Sequence, residues 1–210
     1  MRLYVHRLSP NGLKAIVTAE YCGSSVELVD IDLGGGEQHG AAYRAINPNG
    51  RVPTLVDDTF ILWESNAIMQ YLAEKAGKRS IWPEDLRARA DIARWQFWDV
   101  AHLCQAARPF QWEYLFKAML GLGDPDEASL AAADAPFRAC ADVLEETLGR
   151  QSYLAGDRLT LADLSVGATL IHAEAARMPL DEYPALQDWR RKVSSIPAWV
   201  AARPQPRAAA

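Results

Sequence analysis

The pattern of apolar and polar positions divides the chain into two parts. In the first 77 residues, short alternating stretches typical of half-buried strands are separated by segments with helical spacing. The strand-like stretches are RLYVHRL (2–8), SVELVDIDL (25–33), TLV (54–56) and FILW (60–63). The helical spacings are Leu13, Ile16, Val17 and Tyr21, a short segment at 41–46, and SNAIMQYLAEKA (65–76), which Gly77 ends.

This order of elements, β-α-β-(α)-β-β-α, predicts an α/β domain over residues 1–77. The first βαβ unit is expected to be parallel and right-handed. Asp57 and Asp58 between the last two strands are a turn signal, which predicts an antiparallel hairpin. The sequence therefore predicts a four-stranded mixed sheet with helices on both faces.

The second part contains no convincing strand. Residues 78–85 have no periodicity and are interpreted as a linker. From 86 to 205 we expect an all-α helical bundle domain with antiparallel neighbouring helices. Its apolar stripes are Ile92/Trp95/Trp98, Phe137/Ala141/Leu144/Leu148, Leu161/Leu164/Ala168/Ile171 and Leu186/Trp189/Val193.

One helix in this part has an explicit start signal. Thr160 is a good N-cap and Asp163 lies at the third helical position, where its carboxylate can return a hydrogen bond. Leu159 and Leu164 flank this pair at the spacing of a hydrophobic staple. We therefore interpret Asp163 as a capping residue rather than a catalytic base.

Composition and charge exclude several functional classes. The 210 residues carry a net charge of −5 with both signs mixed, unlike the basic stripe of a nucleic-acid binder. The chain has no apolar run of about 18 residues, so we expect no membrane span, and its N-terminus does not look like a targeting signal. The three cysteines, which form no CxxC pair, make a disulfide scaffold or a zinc site improbable and fit a reduced cytoplasm.

The candidate site begins with a proline at a strand start. Pro53 has no N–H, and a cis bond before it would leave the main chain of Val52 free to pair with an extended peptide-like ligand. Ser65 is expected to cap the next helix, whose first N–H groups can hold a carboxylate, and Glu64 could meet an ammonium group. A ligand with an α-amino acid at one end and a central amide suits this arrangement.

These segments resemble the glutathione transferase family over nearly the whole chain. The resemblance rests on RVP (51–53), ESNAI (64–68), the βαβ–ββα module followed by helices, and LAGDRLTLADLSVGA (154–168). It implies a thioredoxin-like N-terminal domain that binds glutathione as co-substrate, with no metal or other cofactor. It also implies a homodimer.

The resemblance assigns roles to individual residues. Val52 would bond the cysteinyl backbone of glutathione, Pro53 would be the cis proline, and Glu64 with Ser65 would hold the γ-glutamyl end. The remaining predicted contacts, to the glycine carboxylate, would come from Arg51 together with Gln38 or His39.

The chemistry that the resemblance implies needs a thiolate, whereas a free thiol has a pKa of about 8.5. A donor and a helix N-terminus near the sulfur favour the anion. LSPNGLKA (8–15) offers the hydroxyl of Ser9 and the amide of Asn11, and both remain candidates. Tyr4 is an outside candidate, and no cysteine occupies the site.

The second substrate is expected between the two domains. The candidate residues for its pocket are Leu8, Trp98, His102, Arg108 and Trp112. Arg108 would suit an anionic electrophile.

Three functions are compatible with these residues. The first is conjugation of glutathione to an electrophilic, largely apolar small molecule. The second is glutathione-dependent disulfide reduction, which the bacterial-type Ser-Pro-Asn pattern suggests. The third is a non-catalytic glutathione-binding or regulatory protein on the same fold.

Overall fold

A computed structural model of the chain describes residues 1–202. The chain forms two compact units. Among the described residues, the first unit consists of Met1–Arg79 together with 195–202, and the second is Ser80–Ser194. The predicted end of the helical domain at residue 205 lies outside the described part of the chain.

The first unit contains the predicted four-stranded mixed sheet, in the order β2-β1-β3-β4. β1 and β2 are parallel, whereas β1–β3 and β3–β4 are antiparallel, which confirms the predicted βαβ unit and hairpin. The elements are β1 (Arg2–Val5), α1 (Pro10–Cys22), β2 (Glu27–Asp30), α2 (Ala41–Arg44), β3 (Thr54–Asp57), β4 (Phe60–Trp63) and α3 (Ser65–Lys75).

The first two strands are shorter than their alternating patterns, which extend over 2–8 and 25–33. β1 stops at Val5 because the chain then turns, with the Ser9 N–H donating to the His6 carbonyl at 2.9 Å. β2 ends with it, since a strand extends only as far as its partner offers main-chain groups. Ile31 makes the last contact, to the Val5 carbonyl at 2.7 Å.

The sheet is buried on both faces at its centre. Leu3 lies opposite Leu55, and both are fully buried. Their neighbours Tyr4 and Thr54 are also paired, and alternation along the strands places them on the other face. Tyr43 of α2 covers that face, with its ring edge-on to Tyr4 at a centroid distance of 6.1 Å.

The regular structure of the second unit is helical apart from an isolated antiparallel bridge between Tyr153 and Gly156. Residues 86–120 form one helical run in which two π-helical turns, Asp99–Leu103 and Trp112–Phe116, separate α4 (Leu86–Trp98), α5 (Cys104–Gln111) and α6 (Lys117–Leu120). The later helices are α7 (Glu127–Leu148), α8 (Leu161–Thr169) and α9 (Pro184–Ser194). In residues 1–202, no helix is both long enough and apolar enough to cross a lipid bilayer.

The capping box at the start of α8 is present as predicted. One carboxylate oxygen of Asp163 accepts the Thr160 N–H at 2.9 Å. The other accepts the Leu154 N–H and the Trp189 Nε1–H, both at 2.9 Å. Asp163 is fully buried, so its carboxylate is a structural acceptor that joins three segments of the helical unit.

The C-terminal segment differs from the prediction. Residues 195–202 were expected to extend the helical domain, but α10 (Pro197–Ala202) packs against α1 and belongs to the first unit. Trp199 drives this packing, because its large side chain is only 1% exposed. Helical spacing predicts a buried face but does not say which element covers it.

Candidate functional site

The register of the sheet gathers three predicted segments at one edge. Thr54, the first residue of β3, pairs with Tyr4 near the end of β1 and with Trp63 at the end of β4. The chain therefore leaves β1 towards Ser9, enters β3 through Val52-Pro53, and leaves β4 towards Glu64 and Ser65, all at this edge. Sequence positions 9, 52 and 64 become neighbours because β1 and β4 run antiparallel to β3.

The start of α1 is a tight turn closed by a cap. Ser9 is the N-cap residue, and its Oγ accepts the Gly12 N–H at 3.3 Å. A Cβ added at Gly12 would lie 2.7 Å from the His6 carbonyl oxygen, so only glycine fits there. Pro10 has no N–H and Ser9 takes the Gly12 N–H, so the turn leaves the Asn11 N–H at this helix start, which favours a negative charge.

A side-chain hydrogen bond links the starts of α1 and α3. Ser65 Oγ donates to Asn11 Oδ1 at 3.3 Å. This contact orients the Asn11 amide, since its oxygen is used and its Nδ2 donates to no residue within 1–202. The hydroxyl proton of Ser9 is likewise unused there, so both predicted thiolate donors are available.

The start of α3 differs by one residue from the expected cap. Glu64, not Ser65, occupies the N-cap position, with φ 75° and ψ 114°. Ser65 is the first helical residue and is buried, whereas the Glu64 side chain is exposed. A non-glycine residue at positive φ is strained, and such residues concentrate at functional sites.

Val52 presents its main chain just before β3, at the end of the sheet where β3 begins. The Val52–Pro53 peptide bond is cis. Neither the N–H nor the C=O of Val52 makes a main-chain hydrogen bond outside the sheet ladder in the described residues, and β3 begins only at Thr54. These groups are therefore available to an extended ligand, as an edge strand's would be.

The residues predicted for the glycine carboxylate also lie together. Gln38 and His39 belong to a 3-10 turn, Glu37–His39, that packs against Gly50. Gly50 has φ 59°, and a Cβ there would lie 3.0 Å from both the Gln38 carbonyl oxygen and His39 Nδ1. Arg51, next in the chain and exposed, can reach the same place.

The sequence pattern does not predict three buried residues with polar side-chain groups beneath this end of the sheet: Tyr43, Asn47 and Thr54. Tyr43 and Asn47 both donate to the Arg51 carbonyl oxygen at 2.7 Å. The signal that could have found them is the Asn47-Pro48 dipeptide followed by Gly50, a turn marker directly before RVP.

Comparison with known proteins decides the family. A family model for the glutathione S-transferase N-terminal domain matches residues 1–74, and one for the C-terminal domain matches residues 127–192. Glutathione S-transferase 3 of Zea mays is 33% identical, covering 98% of this chain and 96% of its own length. Glutathione S-transferase GstB of Escherichia coli (strain K12) is 30% identical, covering 90% and 91%.

This chain belongs to the glutathione S-transferase family. Its fold is correspondingly similar to solved family structures. The theta class glutathione S-transferase from Xanthomonas axonopodis pv. citri, solved with glutathione bound, is 31% identical with a TM-score of 0.86 and covers 98% of this chain and 97% of that one. Glutathione transferase F7 from Populus trichocarpa is 28% identical, with a TM-score of 0.86 and 96% of both chains covered. The predicted thioredoxin-like and helical domains are therefore confirmed.

The residues of this transferase predicted to contact the second substrate lie in both units. Leu8 follows β1 in the first unit. The other four lie along the helical run 86–120: Trp98, His102, Arg108 and Trp112. The rings of Trp98 and His102 are 6.3 Å apart, whereas Arg108 and Trp112 are exposed. Their shared role in one pocket stays a prediction.

His102 also borders a cavity that lies wholly within the helical unit. This cavity has a volume of about 570 Å³ and is formed mainly by α5 and α7. Alanines and prolines dominate its wall, and Cys140 lies at its side. Burial raises the pKa of the Cys140 thiol, so this cysteine is a small apolar wall residue.

Proposed function

We propose that this protein conjugates glutathione, as the thiolate, to an electrophilic and largely apolar small molecule. The observation that carries the proposal is the contact between Ser65 Oγ and Asn11 Oδ1, which joins the starts of two helices. The pairing of Thr54 with Tyr4 and Trp63 brings the main chain of Val52 to the same end of the sheet. One helix start suits a thiolate, the other suits a carboxylate, and the main chain between them suits a peptide. In glutathione, a peptide amide lies between the γ-glutamyl carboxylate and the cysteine that carries the thiol.

Each end of glutathione has a charged or polar partner in the proposed complex. The first N–H groups of α3, including that of Ser65, hold the γ-glutamyl carboxylate, and Glu64 holds the ammonium group. Val52 pairs with the cysteinyl backbone. Arg51, with Gln38 or His39, binds the glycine carboxylate, because the turn at 37–39 lies against Gly50.

Catalysis in this proposal comes from stabilising the thiolate and positioning it. A hydrogen bond from Asn11 Nδ2 or Ser9 Oγ, together with the start of α1, lowers the pKa of the bound thiol. The thiol proton passes to solvent, and the sulfur lone pair forms a carbon–sulfur bond. With a chloronitrobenzene, chloride leaves with the electron pair of the broken carbon–chlorine bond.

The test compares wild type with Ser9→Ala and Asn11→Ala. We expect the variant that removes the principal donor to lower kcat/KM about ten- to a hundredfold with 1-chloro-2,4-dinitrobenzene, the range for a hydrogen bond to a charged group. Thiolate absorbance of bound glutathione as a function of pH should show a higher thiol pKa in that variant. Ser25→Ala, an exposed serine of the same unit, is the matched control.

Three results would contradict the proposal. If both variants keep the wild-type rate and thiol pKa, the assigned thiolate site is wrong. If wild type uses glutathione to reduce a small disulfide quickly but conjugates 1-chloro-2,4-dinitrobenzene slowly, the reaction is disulfide reduction. Failure of wild type to bind glutathione in a calorimetric titration would remove the whole assignment.

The proposal also covers the oligomeric state, the cellular compartment and the cofactor requirement. We expect a homodimer in the cytoplasm that uses glutathione as co-substrate and needs no metal or redox cofactor. Cys22, Cys104 and Cys140, all within the described residues, form no disulfide bond, which fits a reducing compartment. Sedimentation velocity would measure the oligomeric state directly.

A further inference from the structure

We infer that Tyr43 is a positioning residue for glutathione, acting through the Arg51 carbonyl to aim the N–H of Val52 at the ligand. The inference rests on the proposed function, since it concerns how the same site is held. Tyr43 itself lies beneath the sheet edge, buried in the first unit.

The hydrogen bonds around Tyr43 use every available proton once. Tyr43 Oη donates to the Arg51 carbonyl oxygen at 2.7 Å, and Asn47 Nδ2 donates to the same oxygen at 2.7 Å. Asn47 Nδ2 gives its second proton to Thr54 Oγ1 at 3.0 Å. The Thr54 hydroxyl then donates to Tyr43 Oη at 2.9 Å, because the tyrosine proton is already used.

The orientation of the Asn47 amide is fixed independently. Its Oδ1 accepts the Asn49 N–H at 3.0 Å and the Asn49 Nδ2 at 3.1 Å. The Nδ2 must therefore face Arg51 and Thr54. Tyr43, Asn47 and Thr54 are 5%, 2% and 0% exposed, so water cannot replace a lost partner easily.

The link to the ligand is the planarity of the peptide bond. The carbonyl of Arg51 and the N–H of Val52 belong to one peptide unit, and in a trans peptide they point in opposite directions. Among the described residues, Val52–Pro53 is the only cis bond. Two donors that hold the Arg51 oxygen inward thus hold the Val52 N–H outward, where the cysteinyl carbonyl of glutathione is proposed to lie.

The Tyr43 hydroxyl keeps its proton at the pH of the reaction. Burial is the main reason that its pKa is raised above the ordinary value, and Thr54 offsets this only partly. A tyrosine at that position remains a donor through neutral and mildly alkaline pH. The positioning effect should therefore be constant where the glutathione thiol titrates.

The experiment compares Tyr43→Phe with Tyr71→Phe in the full chain. Both changes remove one hydroxyl, but the Tyr71 hydroxyl donates to Asp57, at the far end of β3. We expect Tyr43→Phe to raise the calorimetric Kd and the KM for glutathione about three- to tenfold, the effect of one neutral hydrogen bond, with kcat at saturating glutathione changed less than about twofold. Tyr71→Phe should lower the melting temperature and leave the Kd and the KM for glutathione unchanged.

A second pair of variants separates positioning from general loss of packing. Thr54→Ser keeps the hydroxyl of the hydrogen-bond network, and Thr54→Val removes it at nearly constant volume. Only Thr54→Val should raise the KM for glutathione. Equal glutathione affinity in wild type and Tyr43→Phe, or a fall in kcat without a change in KM, would overturn the inference while leaving the proposed function intact. Absence of glutathione binding by wild type would instead overturn the proposed function and this inference together.

Discussion

At the residue scale, two non-glycine residues of the hairpin region have positive φ. Glu64, at the start of α3, has φ 75°, and Asp58, in the turn between β3 and β4, has φ 53°. Such backbone conformations cost a residue with a Cβ about 1 kcal/mol or more relative to glycine. Only Glu64 lies at the proposed glutathione site.

Replacing each of these two residues by glycine should therefore affect glutathione binding differently. Replacing Asp58 by Gly should stabilise the protein slightly and leave the KM for glutathione unchanged. Replacing Glu64 by Gly should also relieve backbone strain, but it should raise the KM for glutathione about tenfold or more, because the ligand ammonium loses its carboxylate. Thermal unfolding and glutathione titrations measure the two effects separately. An unchanged KM for Glu64→Gly would show that Glu64 does not bind the ammonium group.

The sequence predicts residue identities at this site better than their backbone conformations. Ser9, Val52 and Ser65 could be found because proline, serine and asparagine occupy recognisable turn positions. The sequence pattern places the N-cap at Ser65, one residue too late, since nothing in the side chain of Glu64 signals positive φ. Tyr43 was missed because a buried tyrosine in a four-residue helix looks like ordinary core.

At the scale of elements, one carboxylate joins the end of the long helical run to the next helix. Glu113 Oε2 accepts Lys117 Nζ at 2.8 Å and the N–H of Asp126, the N-cap of α7, at 2.7 Å. Lys117 also donates to the Asp124 carbonyl at 2.7 Å. The loop between α6 and α7 is therefore held by a charge pair rather than by apolar contacts alone.

This pair predicts a specific loss of stability in acid. The hydrogen bond from Lys117, followed by that from Asp126, holds the pKa of Glu113 below its ordinary value. A carboxyl with a lowered folded pKa stabilises the protein above the unfolded pKa, about 4.3, and this stabilisation is lost as pH falls from there through the folded value. Glu113→Gln should unfold at a lower temperature at neutral pH and show a weaker fall in melting temperature over that acid range.

The matched control is Glu146→Gln, since Glu146 pairs with Arg150 on the surface. An exposed ion pair contributes little to stability, so Glu146→Gln should show the same melting temperatures as wild type across this pH range. If the melting temperatures of wild type and Glu113→Gln fall equally from neutral to acid pH, the stabilising role of Glu113 is contradicted.

At the scale of the whole molecule, the unit that carries the proposed site is built from both parts of the sequence. α1, whose start holds Ser9 and Asn11, packs against α3 and also against α10. The periodicity of residues 86–200 predicted helices correctly but could not assign α10 to the first unit, because an apolar stripe carries no information about its partner. That assignment depends on contacts between residues far apart in sequence.

A truncation series tests this dependence. A chain ending at Ala202 is the reference for this series, since it keeps every described residue. A chain ending at Ser194 loses Trp199 and uncovers the side of α1 that α10 buries, so it should melt at a lower temperature and bind glutathione weakly. Trp199→Ala, expected to cost about 3–5 kcal/mol, gives an intermediate case measurable by urea unfolding. Wild-type affinity in the chain ending at 194 would contradict the prediction.

The position of α10 also orders events during synthesis. Domains generally fold as they emerge from the ribosome, the N-terminal one first. Here the first unit reaches its final packing only after the entire helical unit has been translated, because α10 follows that unit in the chain. A nascent chain stalled before residue 195 should therefore not be retained on immobilised glutathione, even though every proposed contact residue for the tripeptide has already been made.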